Sequence, residues 1–168
     1  AKNEKKYDMI FSDAYNSFIS VPWHLSTKEF NSLAKKRLND GGIYAINFIS
    51  ALRGNDADFF QSMFYTFQKT FPNSYVFAYG SDETEVQNIV LIGVNSSEHM
   101  AESELKKRLF GVNNETLLAK HVVDMPKKYI SGNKQIALTD NYSPAERLML
   151  PTIDAYFPKF AKLYYSIF

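Results

Sequence analysis

The chain has 168 residues, enough for one domain with a substantial core and too few for two domains of ordinary size. Its formal net charge is +1 with both signs interspersed, so the charge pattern gives no indication of binding to nucleic acid or a membrane surface. The absence of cysteine excludes disulfides and thiolate metal sites and fits a reducing cytoplasm. No segment approaches the roughly 20 apolar residues of a membrane span, and we therefore expect a soluble, cytoplasmic protein.

The first predicted element is a strand over residues 7–12, YDMIFS, whose apolar residues do not alternate cleanly with polar ones. This pattern is typical of a parallel strand that is buried on both faces. Ser26 and Glu29 have the spacing of a capping box, which predicts a helix over about residues 27–38. The loop between strand and helix follows a strand's C-terminal end, where open α/β sheets hold ligands, and this places Asp13 over a possible pocket.

The next elements alternate between helix and strand. The glycine-rich stop NDGG precedes a predicted strand over residues 43–50, and a helix with a phenylalanine-rich face is predicted over residues 57–70. The strands predicted over residues 75–79 and 88–94 are joined by a polar loop too short for a crossover helix, so we expect them to be antiparallel. The order predicts an α/β fold with a mostly parallel sheet flanked by helices.

The second part of the chain has more helical patterns and one ambiguous stretch. Residues 102–110 and the segment from Ser143 onward predict helices, whereas residues 113–138 fit no single element. The tail PKFAKLYYSIF has apolar residues at helical spacing, which favours packing on the body of the domain, with a dimer contact as the alternative. We therefore divide the chain into a sheet domain over residues 1–98 and a helical extension over residues 99–168 that packs on it.

Asp13 is the strongest candidate for a functional residue. A carboxylate at a strand end can hold or deprotonate a substrate amine, but an aspartate in a turn also bonds its own backbone, and the residues alone leave both readings open. Asp140 and Tyr142, in LTDNYSPAE, either line a pocket or belong to a turn and helix cap. The three histidines lack metal-ligand spacing, so we expect no metal site.

The glycine-rich phosphate turn of nucleotide-binding α/β domains has no counterpart in this sequence. Such domains carry the turn after their first strand, followed by an acidic residue that binds the ribose. The seven glycines form no G-x-G-x-x-G motif, and no predicted strand precedes Tyr7.

Several segments together resemble the C-terminal half of the spermidine synthase-like family, the polyamine aminopropyltransferases. They are YDMIFSDAYNSFISVPWHLSTKEF, RLNDGGIYAINFIS, QNIVLIG and LTDNYSPAE. The resemblance covers nearly the first hundred residues and residues 138–146. It implies the Rossmann-like fold of class I S-adenosylmethionine-dependent methyltransferases. The four predicted strands would be the fourth to seventh of that fold, with the last antiparallel and the first three missing.

The resemblance also implies an activity and a site. The intact protein would transfer an aminopropyl group from decarboxylated S-adenosylmethionine to a polyamine, and Asp13 would orient and deprotonate the acceptor amine. A second aspartate commonly stands three residues further on in the family, but Asn16 stands there in this chain and offers no charge to an ammonium group. With the pocket candidates, the substrate-binding positions are Tyr15, Asn16, Tyr79, Asp140 and Tyr142. The donor-binding positions are Asp13, Ala14, Pro22 and Leu25.

Without the first three strands, we expect this chain alone to be inactive and to bind neither decarboxylated S-adenosylmethionine nor S-adenosylmethionine. Two alternatives remain open: a non-catalytic binding or regulatory module, and an S-adenosylmethionine-dependent methyltransferase. The strand over residues 7–12 would have an open edge, and we expect a homo-oligomer formed through it.

Overall fold

The computed structural model describes residues 5–14, 21–78, 80, 82–111, 122–124 and 135–167. The elements in chain order are β1 (Tyr7–Ser12), α1 (Lys28–Lys36), β2 (Leu38–Ser50), α2 (Asp58–Gln68), β3 (Ser74–Ala78), β4 (Gln87–Val94), α3 (Glu102–Phe110), β5 (Val122–Asp124) and α4 (Ala145–Ile167). Short 3-10 turns at Trp23–Leu25 and Asn55–Ala57 precede α1 and α2.

The strands form one sheet in the order β1-β2-β4-β3-β5. β1 and β2 are parallel, and β4 is antiparallel to both of its neighbours, β2 and β3. The predicted α/β fold and the antiparallel hairpin of β3 and β4 are therefore confirmed. The expectation of mostly parallel pairing was wrong, because β4 lies between β2 and β3 and separates two strands that run in the same direction. β5, in the ambiguous stretch, adds a further antiparallel strand.

β1 is parallel as predicted, but the prediction that it is buried was wrong. It is the terminal strand of the sheet, and the side chains of Tyr7, Met9 and Phe11 are 40%, 51% and 56% exposed. The described residues cover only one of its faces, on which Ile10 packs against the main core. The apolar composition of β1 therefore does not mean that the described residues bury both of its faces.

The main core lies between one face of the sheet and α1, α2 and α4. The predicted apolar face of α2 is confirmed: Phe60, Met63, Phe64 and Phe67 are each no more than 1% exposed. Each such side chain contributes roughly 1.5–3 kcal/mol of burial free energy. The same core contains the following residues from beyond the predicted boundary at residue 98: Leu138, Ala145, Leu148 and Met149. The division at residue 98 itself stays a prediction.

The start of α1 and the segment that follows this helix each differ from the predicted pattern. The N-cap of α1 is Thr27 rather than Ser26, because the Thr27 hydroxyl accepts a hydrogen bond of 3.2 Å from the Phe30 N–H group. The NDGG segment does not end a helix but lies within β2. At Gly42 a Cβ atom would stand 2.9 Å from the Asn39 carbonyl oxygen, so the close backbone approach there requires glycine.

Candidate functional site

The candidate site is at the C-terminal ends of the two parallel strands. Ser12, the last residue of β1, is in register with Ile46 on β2, so the next positions, Asp13 and Asn47, are side by side on one face of the sheet. The Asn47 Nδ2 atom donates a hydrogen bond of 2.9 Å to the Asp13 Oδ1 atom. The fold thus joins the strongest sequence candidate to a side chain on the neighbouring strand.

The Asp13 carboxylate is exposed and keeps unused acceptor capacity. Among the described residues, Asn47 is its hydrogen-bond partner, and a carboxylate has about four lone-pair positions. The Asn47 Oδ1 atom is buried and has no hydrogen-bond partner within the described part of the chain. The exposed Asp13 carboxylate therefore supplies the accessible acceptor positions for a ligand that donates N–H bonds, as an ammonium group does.

Asn47 was not predicted as a site residue. The available signal was a single polar side chain within the apolar run IYAINFIS, but its partner could be identified only from the strand register. On the opposite face of the sheet, where Tyr44 packs in the main core, burial raises the pKa of its phenol above the usual range, and the Ser12 side chain offsets part of that rise. Tyr44 is therefore neutral at physiological pH.

The predicted donor-binding residues differ in burial. Ala14 is exposed, whereas Pro22 is buried and Leu25 is half-buried against the main core. Their proposed contacts with a donor stay predictions. Tyr15, Asn16 and Tyr79 lie outside the described residues.

Asp140 takes part in a second cluster, at the start of α1. Its Oδ1 atom accepts a hydrogen bond of 2.7 Å from the Thr27 hydroxyl, and its backbone N–H donates to the Glu29 carboxylate at 3.0 Å. Glu29 thus caps a distant turn rather than its own helix. Tyr142 is in the same turn, paired with Thr139 through two backbone hydrogen bonds of 3.0 Å, and its side chain is 55% exposed.

This second cluster borders an open cleft of about 390 Å³ whose lining includes Trp23, Asp140, Ser143 and Arg147. Among the described contacts, none links it to Asp13. The structure therefore presents the sequence candidates as two separate groups: Asp13 with Asn47, and Asp140 with Tyr142.

Neither a metal centre nor a membrane span is found in the described part of the chain. No group of three or more histidine, aspartate and glutamate side chains there is arranged to hold a metal ion. None of the described helices combines the length and apolarity needed to cross a bilayer.

Comparison with solved structures finds the same architecture in a probable spermidine synthase from Corynebacterium glutamicum ATCC 13032. The crystal structure of that protein matches with a TM-score of 0.57 and 21% sequence identity, over 85% of this chain. A probable polyamine aminopropyl transferase of Bifidobacterium longum (strain NCC 2705) is 38% identical over 47 residues, which is 28% of this chain. The chain is similar in fold to that spermidine synthase. No protein-family model matches it.

The chain spans 51% of the solved structure and 10% of the curated relative. At 21% identity the structural likeness shows a shared fold, which confirms the fold expected from the sequence segments.

Proposed function

We propose that Asp13 and Asn47 bind the acceptor amine in aminopropyl transfer, within a longer spermidine synthase-like protein that contains this sequence. The main support for this proposal is the 2.9 Å hydrogen bond between the two side chains, which lie toward the C-terminal ends of adjacent parallel strands. The C-terminal edge of an α/β sheet is where such folds bind small ligands. The names of the two similar proteins, a spermidine synthase and a polyamine aminopropyl transferase, support a polyamine as acceptor.

The proposed chemistry is displacement at a carbon by an amine. Decarboxylated S-adenosylmethionine supplies an aminopropyl carbon attached to a sulfonium sulfur. An alkyl amine is protonated at neutral pH and cannot attack until it loses a proton, which Asp13 accepts as general base. The nitrogen lone pair then forms the C–N bond as the C–S bond breaks, and methylthioadenosine leaves with the bonding electrons. Asn47 holds the Asp13 carboxylate in position.

We further propose that the chain alone does not catalyse this reaction and binds no donor. Its sequence has no glycine-rich phosphate turn, and it spans about half of the solved spermidine synthase. The cysteine-free composition supports a cytoplasmic location. The open position of β1 at the end of the sheet supports self-association.

The first test is calorimetric titration of the full-length protein and of this chain with three ligands: decarboxylated S-adenosylmethionine, S-adenosylmethionine and methylthioadenosine. We expect the full-length protein to prefer the decarboxylated donor and this chain to bind none. Preference for S-adenosylmethionine would instead indicate methyl transfer, and no binding to either protein would indicate a non-catalytic module.

The second test addresses Asp13 directly in the full-length protein. Asp13→Asn keeps the shape of the side chain but removes the base, and we expect aminopropyl transfer to fall by about 10²–10⁴-fold. Asp8→Asn is the matched control, since Asp8 is also exposed on β1 and also accepts from an asparagine of β2, Asn39, at 2.7 Å. Equal activity of the two variants would overturn the role of Asp13.

A further inference from the structure

Asp13 and Asn47 share their face of the sheet, toward the same end, with a third polar side chain. Asn88, near the start of β4, pairs with Ile49 on β2. Directly opposite residues of paired strands share a face, and so do residues two apart on one strand. Ile49 is two residues beyond Asn47, so Asn88 is on the same face. This placement follows from the pairing of β2 with β4, which are both internal strands of the sheet.

Asn88 interrupts a face that is otherwise apolar. On β2 between positions 43 and 49, and at the paired positions of β4, the side chains on this face are apolar except for those of Asn47 and Asn88. The apolar members are Ile43, Ala45, Ile49, Val90, Ile92 and Val94. Asn88 is exposed, so its amide is accessible to a ligand bound at the C-terminal ends of β1 and β2.

Two adjacent cross-strand pairs at this end of the face are Asn47–Val90 and Ile49–Asn88. The two amides are therefore diagonal to each other, with Cα atoms roughly 7–8 Å apart. The two apolar side chains occupy the other diagonal. An aliphatic polyamine has a matching alternation, because its nitrogen atoms are separated by methylene groups. The arrangement therefore suits a ligand that has a polar group at each end and an apolar chain between them.

The separation between Asp13 and Asn88 determines what such a ligand must span. β1 and β4 are two strand spacings apart and Asn88 is offset by two residues along its strand, which puts the two Cα atoms about 12 Å apart. A hydrogen bond joins heavy atoms at about 3 Å, so an amine group bound at Asp13 cannot also contact Asn88. A second nitrogen at the end of a short methylene chain can.

We propose that Asn88 is a specificity-determining residue of the amine site, because its Oδ1 atom accepts a hydrogen bond from the second nitrogen of a polyamine held at Asp13. The methylene chain between the two nitrogens packs on Ile49 and Val90. This inference rests on the proposed function and extends it to the distal part of the acceptor, which the reacting groups do not contact. The distal nitrogen forms no new bond in the reaction, so Asn88 contributes equally to ground-state and transition-state binding and affects KM rather than kcat.

Steady-state kinetics of the full-length protein with two acceptors tests the role of Asn88. The acceptors are putrescine, a diamine with a four-carbon chain, and butylamine, which has the same chain and no second nitrogen. Asn88→Leu keeps the size of the side chain and removes the acceptor atom. We expect KM for putrescine to rise by about tenfold or more and kcat to stay unchanged. The kinetic constants for butylamine should stay at the wild-type values.

Two further variants separate ligand binding from a structural role. Asn88→Asp adds a negative charge beside the distal ammonium, so the preference for putrescine over butylamine should rise above that of the wild type. A residue that serves only the fold would not produce such a gain. Asn39→Leu is the matched control, because Asn39 is near the other end of β2, and it should leave the preference unchanged.

The outcomes distinguish this inference from the proposed function. An unchanged preference in Asn88→Leu, together with impaired transfer in Asp13→Asn, would overturn the role of Asn88 and leave the proposed function in place. Equal losses with both amines in Asn88→Leu would also overturn it, since they would indicate a structural effect. A wild-type protein that transfers an aminopropyl group to neither amine would overturn the proposed function and this inference with it.

Discussion

The Nδ2 atom of Asn47 and the Oδ1 atom of Asp13, 2.9 Å apart, join the ends of β1 and β2 at the position where the proposed amine binds. A second pair on the same two strands has the same chemistry: the Asn39 amide donates to Asp8 at 2.7 Å near the opposite end of β1. The chain thus contains both a proposed functional pair and a matched structural counterpart.

Asn47→Ala should impair the full-length protein without unfolding it. Hydrogen bonds to charged groups are worth about 1.5–3 kcal/mol, so we expect kcat/KM for the amine to fall by about tenfold to a hundredfold. The measurement is steady-state kinetics with the amine as variable substrate. Asn39→Ala is the control and should keep the wild-type value. Equal losses in the two variants would indicate that the Asn47 bond serves only strand pairing.

Gly93 is a position on β4 where the sheet and α2 approach too closely for a side chain. A Cβ atom there would stand 2.5 Å from the Phe71 Cγ atom and 2.8 Å from the Phe67 Cε1 atom. Gly93→Ala should therefore lower the free energy of unfolding by about 1–3 kcal/mol through overpacking. Urea denaturation measures this change.

A double-mutant cycle tests whether overpacking against Phe71 causes the loss of stability in Gly93→Ala. Phe71→Leu removes part of the ring that the added methyl group would meet, so Gly93→Ala should cost less in that background than in the wild type. Additive effects of the two substitutions would show that the cost comes from elsewhere.

The sequence predicts those parts of the fold that depend on local periodicity. Phe60, Phe64 and Phe67 repeat at helical spacing, and the structure buries all three on one face of α2. Asn47 could not be assigned in this way, because its role depends on the register between β1 and β2 rather than on its neighbours in sequence.

The wrong predictions about the cap of α1 and the burial of β1 have the same origin. Ser26 and Glu29 match a capping box, but Thr27 caps α1 and Glu29 accepts a hydrogen bond from Asp140, more than a hundred residues away. The apolar composition of β1 is typical of a strand buried on both faces, but composition does not show which residues would pack on each face. Both the cap and the burial depend on residues that are distant in the sequence.

The Thr27–Asp140 hydrogen bond predicts that Asp140 acts mainly in stability. Thr27→Val keeps the side-chain shape but removes both the N-cap and the donor to Asp140, and should lower the free energy of unfolding by about 1–2 kcal/mol. Thermal and urea denaturation measure the loss. Ser32→Ala removes an exposed hydroxyl of the same helix, which donates to the Lys28 carbonyl, and is the control.

Asp140→Ala separates the structural role from the predicted substrate-binding role. We expect it to destabilise the fold and to show a coupling of at least about 0.5 kcal/mol with Thr27→Val in a double-mutant cycle. An unchanged stability together with a raised KM in the full-length protein would instead assign Asp140 to the substrate.

Burial of the Tyr44 phenol predicts a loss of stability at alkaline pH. The pKa in the folded chain lies above the unfolded value of about 10. Below pH 10 both states keep the proton, whereas above it the unfolded state releases the proton and the folded state retains it. The free energy of unfolding should therefore fall as pH rises above about 10, by up to about 1.4 kcal/mol per pH unit for this one proton.

Tyr44→Phe removes that proton, so its unfolding free energy should fall less steeply with pH over the same range. Urea denaturation at a series of pH values measures both slopes. Tyr142→Phe, which removes a phenol that is 55% exposed, is the matched control. Parallel curves for the wild type and Tyr44→Phe would show that the Tyr44 phenol ionises alike in both states, because only a group whose pKa differs between folded and unfolded chain makes stability depend on pH.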